Sequence, residues 1–235
     1  MNRKNANHVD GILLVDKPAD WTSFDVVNLI RRQFHLDKTG HCGTLDPFAT
    51  GLLVVLLGKA TRLQDSLMAQ EKTYCGTLRL GEETETEDLT GETVRTLPLP
   101  GDLTLDLLQQ QANTFLGDIL QRPPMHSAIK IHGQPLYKLA RKGQEVERPA
   151  RPVHIRSFQL ENLRGSDVDF LVECSKGTYI RTLGADLGRK MGCGGHLRAL
   201  RRLRSGDHRV ENAFPVDLIR TWDLEALQAH REPLP

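Results

Sequence analysis

The longest uninterrupted apolar stretch in the chain is Leu52-Leu53-Val54-Val55-Leu56-Leu57. Six residues suit a strand buried on both faces and fall far short of the ~20 residues of a membrane-spanning helix. Residues 11–15, Gly-Ile-Leu-Leu-Val, predict another short strand, ended by Asp16-Lys17-Pro18. Thr22 and Asp25 then stand at the spacing of a capping box. Val26, Val27, Ile30 and Phe34 recur on one side of the helix that follows. Residues 60–68 read as a further helix. Residues 72–80 alternate and place Tyr74, Gly76, Leu78 and Leu80 on one face of a strand. Further along, the pattern predicts a helix over 103–115 and two antiparallel strands over 153–163 and 168–175. A helix over 178–191 carries Tyr179, Leu183, Leu187 and Met191 as its apolar stripe. Residues 197–210 read as a basic strand or turn, with a short helix near Trp222.

Three stretches show no such period. Residues 37–51 contain Gly40, Gly43, Pro47 and Gly51 and predict a shaped loop, a feature that is often functional at this length. Residues 82–101 are acidic and rich in Thr, Gly and Pro, and suggest a surface excursion. Residues 121–148 form a basic, loop-rich insertion with Ile129-Lys130-Ile131, a His132-Gly133 turn and a short helix over 135–142. No internal repeat, low-complexity tract or linker divides the chain, so a single domain over residues 1–235 is expected.

Composition narrows the class. Apolar residues make up 39% and charged residues 26%, which is ordinary for a globular protein. Residues 1–10 are polar and hold no apolar core of a secretory signal. Cys42, Cys75, Cys174 and Cys193 form no C-x-x-C pair, which points to a reduced, cytoplasmic protein. Net charge is +1, but the charge is unevenly spread. Residues 121–209 carry 18 Lys and Arg against 8 Asp and Glu, whereas residues 82–106 carry 8 acids and only Arg95 as a base. A basic half is the electrostatic footprint of a nucleic-acid binder, although charges that interleave on a solvated surface give the same count.

Several residues could carry chemistry. Asp46 precedes a proline, which biases its backbone toward extended geometry, and nearby glycines permit tight turns. It is either a carboxylate held for reaction or an Asx-type turn residue. Arg181 falls in the first turn of its helix, where a cation opposes the dipole, and lies about 200° from the apolar stripe. It is either held by a carboxylate or simply faces solvent. Tyr74 reads by pattern as a core tyrosine. Cys42 beside His41 could be a nucleophile, and Cys193-Gly194-Gly195-His196 could offer metal ligands, but neither has a matching second pair. The run from Arg198 to Arg204 could bind phosphate or form a solvated face.

Five segments in order resemble the bacterial tRNA pseudouridine synthases of the TruB type. They are Gly11-Ile12-Leu13-Leu14-Val15-Asp16-Lys17-Pro18 with Trp21-Thr22-Ser23, the loop from His41 to Gly51, Glu71-Lys72-Thr73-Tyr74, the stretch Ser175-Lys176-Gly177-Thr178-Tyr179-Ile180-Arg181-Thr182-Leu183, and Gly195-His196-Leu197 through Ser205-Gly206. The resemblance spans roughly residues 11–210. It implies an α+β pseudouridine synthase fold, a mainly antiparallel mixed sheet flanked by helices with a basic insertion that closes over the tRNA T-loop. It further implies that Asp46 is the essential aspartate, that Arg181 pairs with it, and that Tyr74 stacks on the target base. His41 would help fill the space left by a flipped nucleotide, while Lys17 and Leu200 would shape the pocket. Lys130, Lys138, Arg141, Lys142, Arg201 and Arg202 would contact RNA. Cys42 stands where the family often has Thr or Val. Only about 25 residues follow Val210, too few for the PUA domain that many members carry.

The implied reaction converts a tRNA T-loop uridine, position 55, to pseudouridine, exchanging a C–N glycosidic bond for a C–C bond. No net redox change or group donor is involved, so no cofactor or metal is expected, and tRNA is the expected partner of a monomer. Two rivals remain: an RNA-binding or tRNA-folding protein with little catalysis, and a Cys- or zinc-dependent hydrolase using Cys42 or Cys193.

Overall fold

The computed structural model describes residues 6–127, 129–131, 133–140, 143–144 and 146–234. In chain order the elements are β1 (Gly11–Lys17), α1 (Ser23–Gln33), β2 (Thr39–Cys42), β3 (Thr50–Leu57), α2 (Gln64–Ala69), β4 (Lys72–Leu80), β5 (Glu82–Thr84), β6 (Thr93–Thr96), α3 (Leu105–Asn113) and β7 (Gly117–Gln121). There follow β8 (Lys130–Ile131), β9 (Gln134–Pro135), α4 (Leu136–Ala140), β10 (Arg151–Arg164), β11 (Asp167–Cys174), α5 (Ile180–Lys190), β12 (Gly195–Ser205), β13 (His208–Arg209), β14 (Phe214–Pro215), α6 (Val216–Ile219) and α7 (Leu224–His230). The chain forms two compact units. One comprises Met1–Tyr74 with Leu200–Pro235, the other Cys75–Ala199. Both boundaries fall within strands, β4 and β12, which is why no linker composition marks them.

In the first unit the strands run in the order β14-β1-β3-β12, with β2 on β3 and β13 on β12. β1 and β3 are antiparallel, from Gly11 opposite Leu57 to Lys17 opposite Gly51. Successive side chains on a strand point to opposite faces, and both faces here are covered. Leu13, Val15, Leu53, Val55 and Leu57 pack with Val26, Val27 and Ile30 of α1 and with Ile219 and Leu227 from the C-terminal helices. Ile12, Leu14, Leu52, Val54 and Leu56 pack with Cys42, Ala60 and Val210. The unbroken apolar run of β3 is thus the two-sided burial its pattern predicts. α1 begins at the expected capping box: the Thr22 hydroxyl accepts from Asp25 N–H at 3.0 Å, and the Asp25 carboxylate accepts from Thr22 N–H at 2.9 Å.

The region expected to be a loop over 37–51 contains a strand. β2 pairs antiparallel with β3, Thr39 opposite Leu57 through Cys42 opposite Val54. Four residues that include a glycine carry no readable alternation, and only the free edge of β3 makes them a strand. Residues 58–63 form a 3-10 turn before α2, where one helix is predicted.

Gly51 shows how tightly this unit is assembled. Its φ is +96°, and a Cβ there would lie 2.3 Å from the Arg202 carbonyl oxygen of β12. That is the parallel neighbour of β3, with Arg202 opposite Gly51. Gly51→Ala combines a disfavoured backbone with a backbone clash, and should cost roughly 2–4 kcal/mol. Denaturant unfolding checks this. A variant within about 0.5 kcal/mol of the parent would mean that β12 can move aside.

In the second unit Gly195–Ala199 of β12, then β4, β11, β10 and β7, lie side by side. β10 and β11 form the predicted antiparallel pair, Ile155 opposite Cys174 through Arg164 opposite Asp167, and β7 adds antiparallel to β10. α3 is tied to β10 through Gln109, whose amide donates to Phe158 O at 2.9 Å and accepts from Leu160 N–H at 2.8 Å. The acidic segment after β4 is not a plain surface excursion. β5 and β6 form a hairpin, and the turn between them holds the buried Asp88.

Some cations of the basic half are held in ion pairs. The Asp167 carboxylate takes Arg79 at 2.8 and 2.9 Å and Arg198 at 2.6 Å. Asp169 takes Arg164 at 2.7 and 2.8 Å together with Thr77 at 2.9 Å, contacts that hold its carboxyl down at about 2.

Candidate functional site

Asp46 is positioned by the backbone on either side of it. The Ser23 hydroxyl, at the start of α1, donates to Leu45 O at 3.2 Å and accepts from Leu45 N–H at 2.9 Å. On the other flank Pro47 O accepts from the Lys17 ammonium at 3.1 Å and from Asp20 N–H at 2.9 Å. Ala49 N–H donates to Asp46 O at 3.1 Å and closes the turn. Leu45, Phe48 and Ala49 are buried, whereas Asp46 itself is half-buried. The residues beside Asp46 are therefore anchored to β1 and α1, and Asp46 is held between them at intermediate exposure. This is how a fixed acid on an irregular loop is built.

Lys17 is completely buried, and its ammonium also donates to Pro18 O at 2.8 Å and Trp21 O at 2.6 Å. It therefore ties the opening motif to the Asp46 loop. Burial pushes the ammonium down from 10.5 to about 8, against the opposing pull first of Asp46 and then of Asp20. The unfolded chain binds more protons than the folded one between about pH 8 and pH 10.5, so this residue makes stability rise with pH across that window. Removing the Asp46 charge by Asp46→Asn removes the strongest group favouring the charged amine. The Lys17 titration should then move below about 8 in a 13C NMR titration of labelled lysine Cε. An unchanged midpoint would show that the two charges are not coupled.

Arg202 corrects an expectation. Its position in a basic run suggests phosphate binding, yet it is 1% exposed. Its guanidinium donates to Leu52 O at 2.7 Å and Gly43 O at 3.1 Å. It braces the Asp46 loop against β3 and presents no charge to a phosphate. Arg201 makes a two-pronged pair with Asp16 at 2.9 and 2.7 Å, so its charge is already matched. His41 lies on β2, and burial followed by the Arg202 guanidinium pushes its imidazole below the ordinary value, against a weaker contact with the Gly43 backbone. Tyr74 and Leu200 are both buried in this unit.

Cys42 is fully buried, and its thiol is pushed up to about 11, chiefly by burial. A thiol so protonated at neutral pH is no nucleophile. Cys193 is buried and shifted the same way. Among the described residues no three His, Cys, Asp or Glu side chains are grouped to hold a metal ion.

Arg181 belongs to the second unit. Its helix, α5, starts at Ile180 after Tyr179, with no side-chain cap from Tyr179 itself. The buried Gln121 takes that role from a distance: its amide accepts from Tyr179 N–H at 2.8 Å and donates to Tyr179 O at 3.0 Å. Nearly every residue from Ile180 to Leu187 is buried, so the helix has no solvent face for Arg181. Arg181 is 3% exposed and donates to Thr86 O at 2.8 Å, His126 O at 2.8 Å and the Asp88 carboxylate at 3.3 Å. The solvent-facing alternative is thereby excluded. Asp88 is itself fixed by Thr86 Oγ1 at 2.7 Å and by the Thr90 N–H at 2.9 Å.

Pattern reading missed Ser23, Gln121 and Asp88. Ser23 was visible only as part of a motif, and Asp88 was lost among seven other acids of its segment. Of the expected RNA-contacting residues, Lys138 is exposed on α4. Lys130 lies on β8, while Arg141 and Lys142 lie outside the described residues.

Residues 31–180 match the TruB family pseudouridylate synthase N-terminal domain, and residues 181–232 match the tRNA pseudouridylate synthase B C-terminal domain. The tRNA pseudouridine synthase B of Opitutus terrae is 45% identical over 226 residues, covering 96% of this chain and 93% of the relative. That of Aromatoleum aromaticum is 48% identical over 221 residues, covering 94% and 70%. Among solved structures, a Cbf5-Nop10-Gar1 complex aligns with a TM-score of 0.71 at 29% identity, over 97% of this chain and 65% of the other. Two domain matches spanning most of the chain, together with identity near 45% along its length, show that it belongs to the TruB family of pseudouridylate synthases.

Proposed function

We propose that the protein isomerises a uridine of the tRNA T-loop, position 55, to pseudouridine. One observation carries the assignment to a residue. Asp46 is half-buried on a loop whose flanking backbone is pinned by Ser23, Lys17 and Arg202. The relatives' name supplies the substrate class.

In this reading the target base leaves its stack, which costs a few kcal/mol, and Tyr74 offers an aromatic surface that repays part of it. Asp46 attacks carbon or stabilises the cationic sugar as the glycosidic bond breaks, the uracil turns, and C5 bonds to the ribose while its proton is removed. Arg181 serves as the cation that keeps the carboxylate ionised. His41, held neutral by burial, would occupy space vacated by the base. Lys17 and Leu200 shape the surroundings, and residues 121–150, with Lys130, Lys138, Arg141 and Lys142, would close on the T-arm. All these groups belong to the polypeptide, so the reaction proceeds without cofactor or metal. A cytoplasmic monomer acting alone on tRNA is part of the proposal. Among the described residues no helix is long and apolar enough to cross a membrane.

The test is incubation with unmodified tRNA transcript in metal-chelated buffer without cofactor, followed by mapping of pseudouridine. Modification at the T-loop uridine is expected. RNA binding without any pseudouridine would instead favour the RNA-folding reading.

A further inference from the structure

We propose that a basic groove in the unit that carries Asp46, lined by His8, Arg31, Lys38 and Thr39, binds a phosphodiester of the RNA substrate. The inference rests on the functional reading above, and it places an RNA contact outside the basic half of the sequence.

The groove has a cavity volume of about 460 Å³ and is lined by these four residues with Asp37. That is room for a phosphate and its flanking sugar. Its cations come from three separate places in the chain. Arg31 lies in the last turn of α1, where it also complements the helix dipole. Lys38 immediately precedes β2. His8 is brought in by Asn7, whose N–H donates to His35 O at 2.8 Å and whose side chain donates to Phe34 O at 2.8 Å. The floor is set by ladder bonds, with Thr39 opposite Leu57 and Gly58 N–H donating to Lys38 O at 2.9 Å. A helix-dipole role explains Arg31 alone and leaves the convergence of Lys38 and His8 unaccounted for.

The charges in the groove are also unspent. Among the described residues Arg31, Lys38 and Asp37 make no ion pair. The nearby Asp10 is engaged by Lys59, through its backbone N–H at 2.7 Å and its ammonium at 3.2 Å. Two full positive charges therefore share the groove with one carboxylate, Asp37, while the His8 imidazole also faces Asp10. This differs from Arg201 and Arg164, each of which has a carboxylate partner of its own.

The character of the groove selects the ligand. His8, Arg31 and Lys38 are all exposed on an open surface. A free phosphate ion needs an enclosed cage of donors to pay for its dehydration. A polyanion backbone gains instead from counterion release, for which mobile surface cations suffice. The groove sits at the entry to β2, the strand that carries His41 toward the Asp46 loop, so a strand gripped there is held by the same rigid ladder.

The test compares the parent with Arg31→Gln/Lys38→Gln in tRNA binding over a range of salt concentrations. The double variant should bind about tenfold more weakly near 50 mM salt, and the slope of log K against log salt should become shallower by about 1–2, since each phosphate contact contributes ~0.7–0.9. KM should rise while kcat at saturating tRNA stays unchanged, and inorganic phosphate at millimolar concentration should not compete. The single variants, each expected to lose about half of the slope change, keep the test decisive if the double variant unfolds. An unchanged slope in folded variants, with the parent binding tRNA normally, would overturn this inference alone. A kcat loss without a slope change would overturn it too, by assigning the residues a structural role. A parent that fails to bind tRNA would overturn the functional reading and this inference with it.

Discussion

Asp46→Asn should abolish pseudouridine formation, by about three orders of magnitude or more, while leaving the thermal midpoint nearly unaltered. A thousandfold loss corresponds to ~4 kcal/mol of transition-state stabilisation at 1.36 kcal/mol per factor of ten. The amide is nearly isosteric, but it can neither attack as an anion nor stabilise a cationic sugar. The loop should survive the change because its geometry is set by the neighbours of Asp46. Ser23 grips Leu45, Lys17 and Asp20 grip Pro47, and Arg202 grips Gly43. The Lys17 titration should respond. Quantitative mapping of pseudouridine in single-turnover reactions, paired with thermal melts, reads both quantities. Activity within tenfold of the parent would remove Asp46 from the chemistry, whatever the family membership of the chain.

Asp88→Ala should be the most destabilising change near Arg181, at about 3–5 kcal/mol, because it removes a buried carboxylate that accepts from the buried guanidinium. Arg181 and Asp88 are each 3% exposed. The substitution also removes the acceptor for Thr86 and Thr90, which shapes the turn between β5 and β6. For a chain of this length the loss corresponds to roughly 6–20 °C in the melting temperature. Asp88→Asn should cost less, since an amide oxygen still accepts the local bonds. The paired change Arg181→Met/Asp88→Ala should recover part of the loss, because the guanidinium that Asp88 serves is removed with it. A midpoint for Asp88→Ala within 2 °C of the parent would show that the other partners of Arg181 satisfy it without Asp88. Activity should fall in either Asp88 variant if Arg181 acts in the reaction.

Both assemblies illustrate how far a one-dimensional reading reaches. The strands β1, β3, β10 and β11 and the helix α1 follow from apolar patterning and from the four-residue capping box Thr22 to Asp25, because burial of side chains and satisfaction of helix-end N–H groups are local demands. Asp46 was conspicuous by its surroundings, Pro47 and the glycines, yet local turn chemistry explained those equally well; only the ordered motifs favoured the catalytic reading, which the Asp46→Asn experiment tests. β2 escaped because its strand character is lent by the edge of β3. Arg198 and Arg201 also looked more available to phosphate than they are, since Asp167 and Asp16 pair with them from 31 and 185 residues away.

The sequence by itself determined the α+β class, most element positions and the family, and it singled out Asp46 as the candidate acid. Each of these is encoded in short-range spacing or in ordered motifs. Only the tertiary structure decided what surrounds that acid. It turned Arg202 from a surface cation into a buried brace, gave Arg181 the partner Asp88 at a separation of 93 residues, and gathered His8, Arg31 and Lys38 into one groove. A buried charge takes its meaning from whichever group shares its low-dielectric surroundings, and that neighbour is chosen by chain topology rather than by sequence distance.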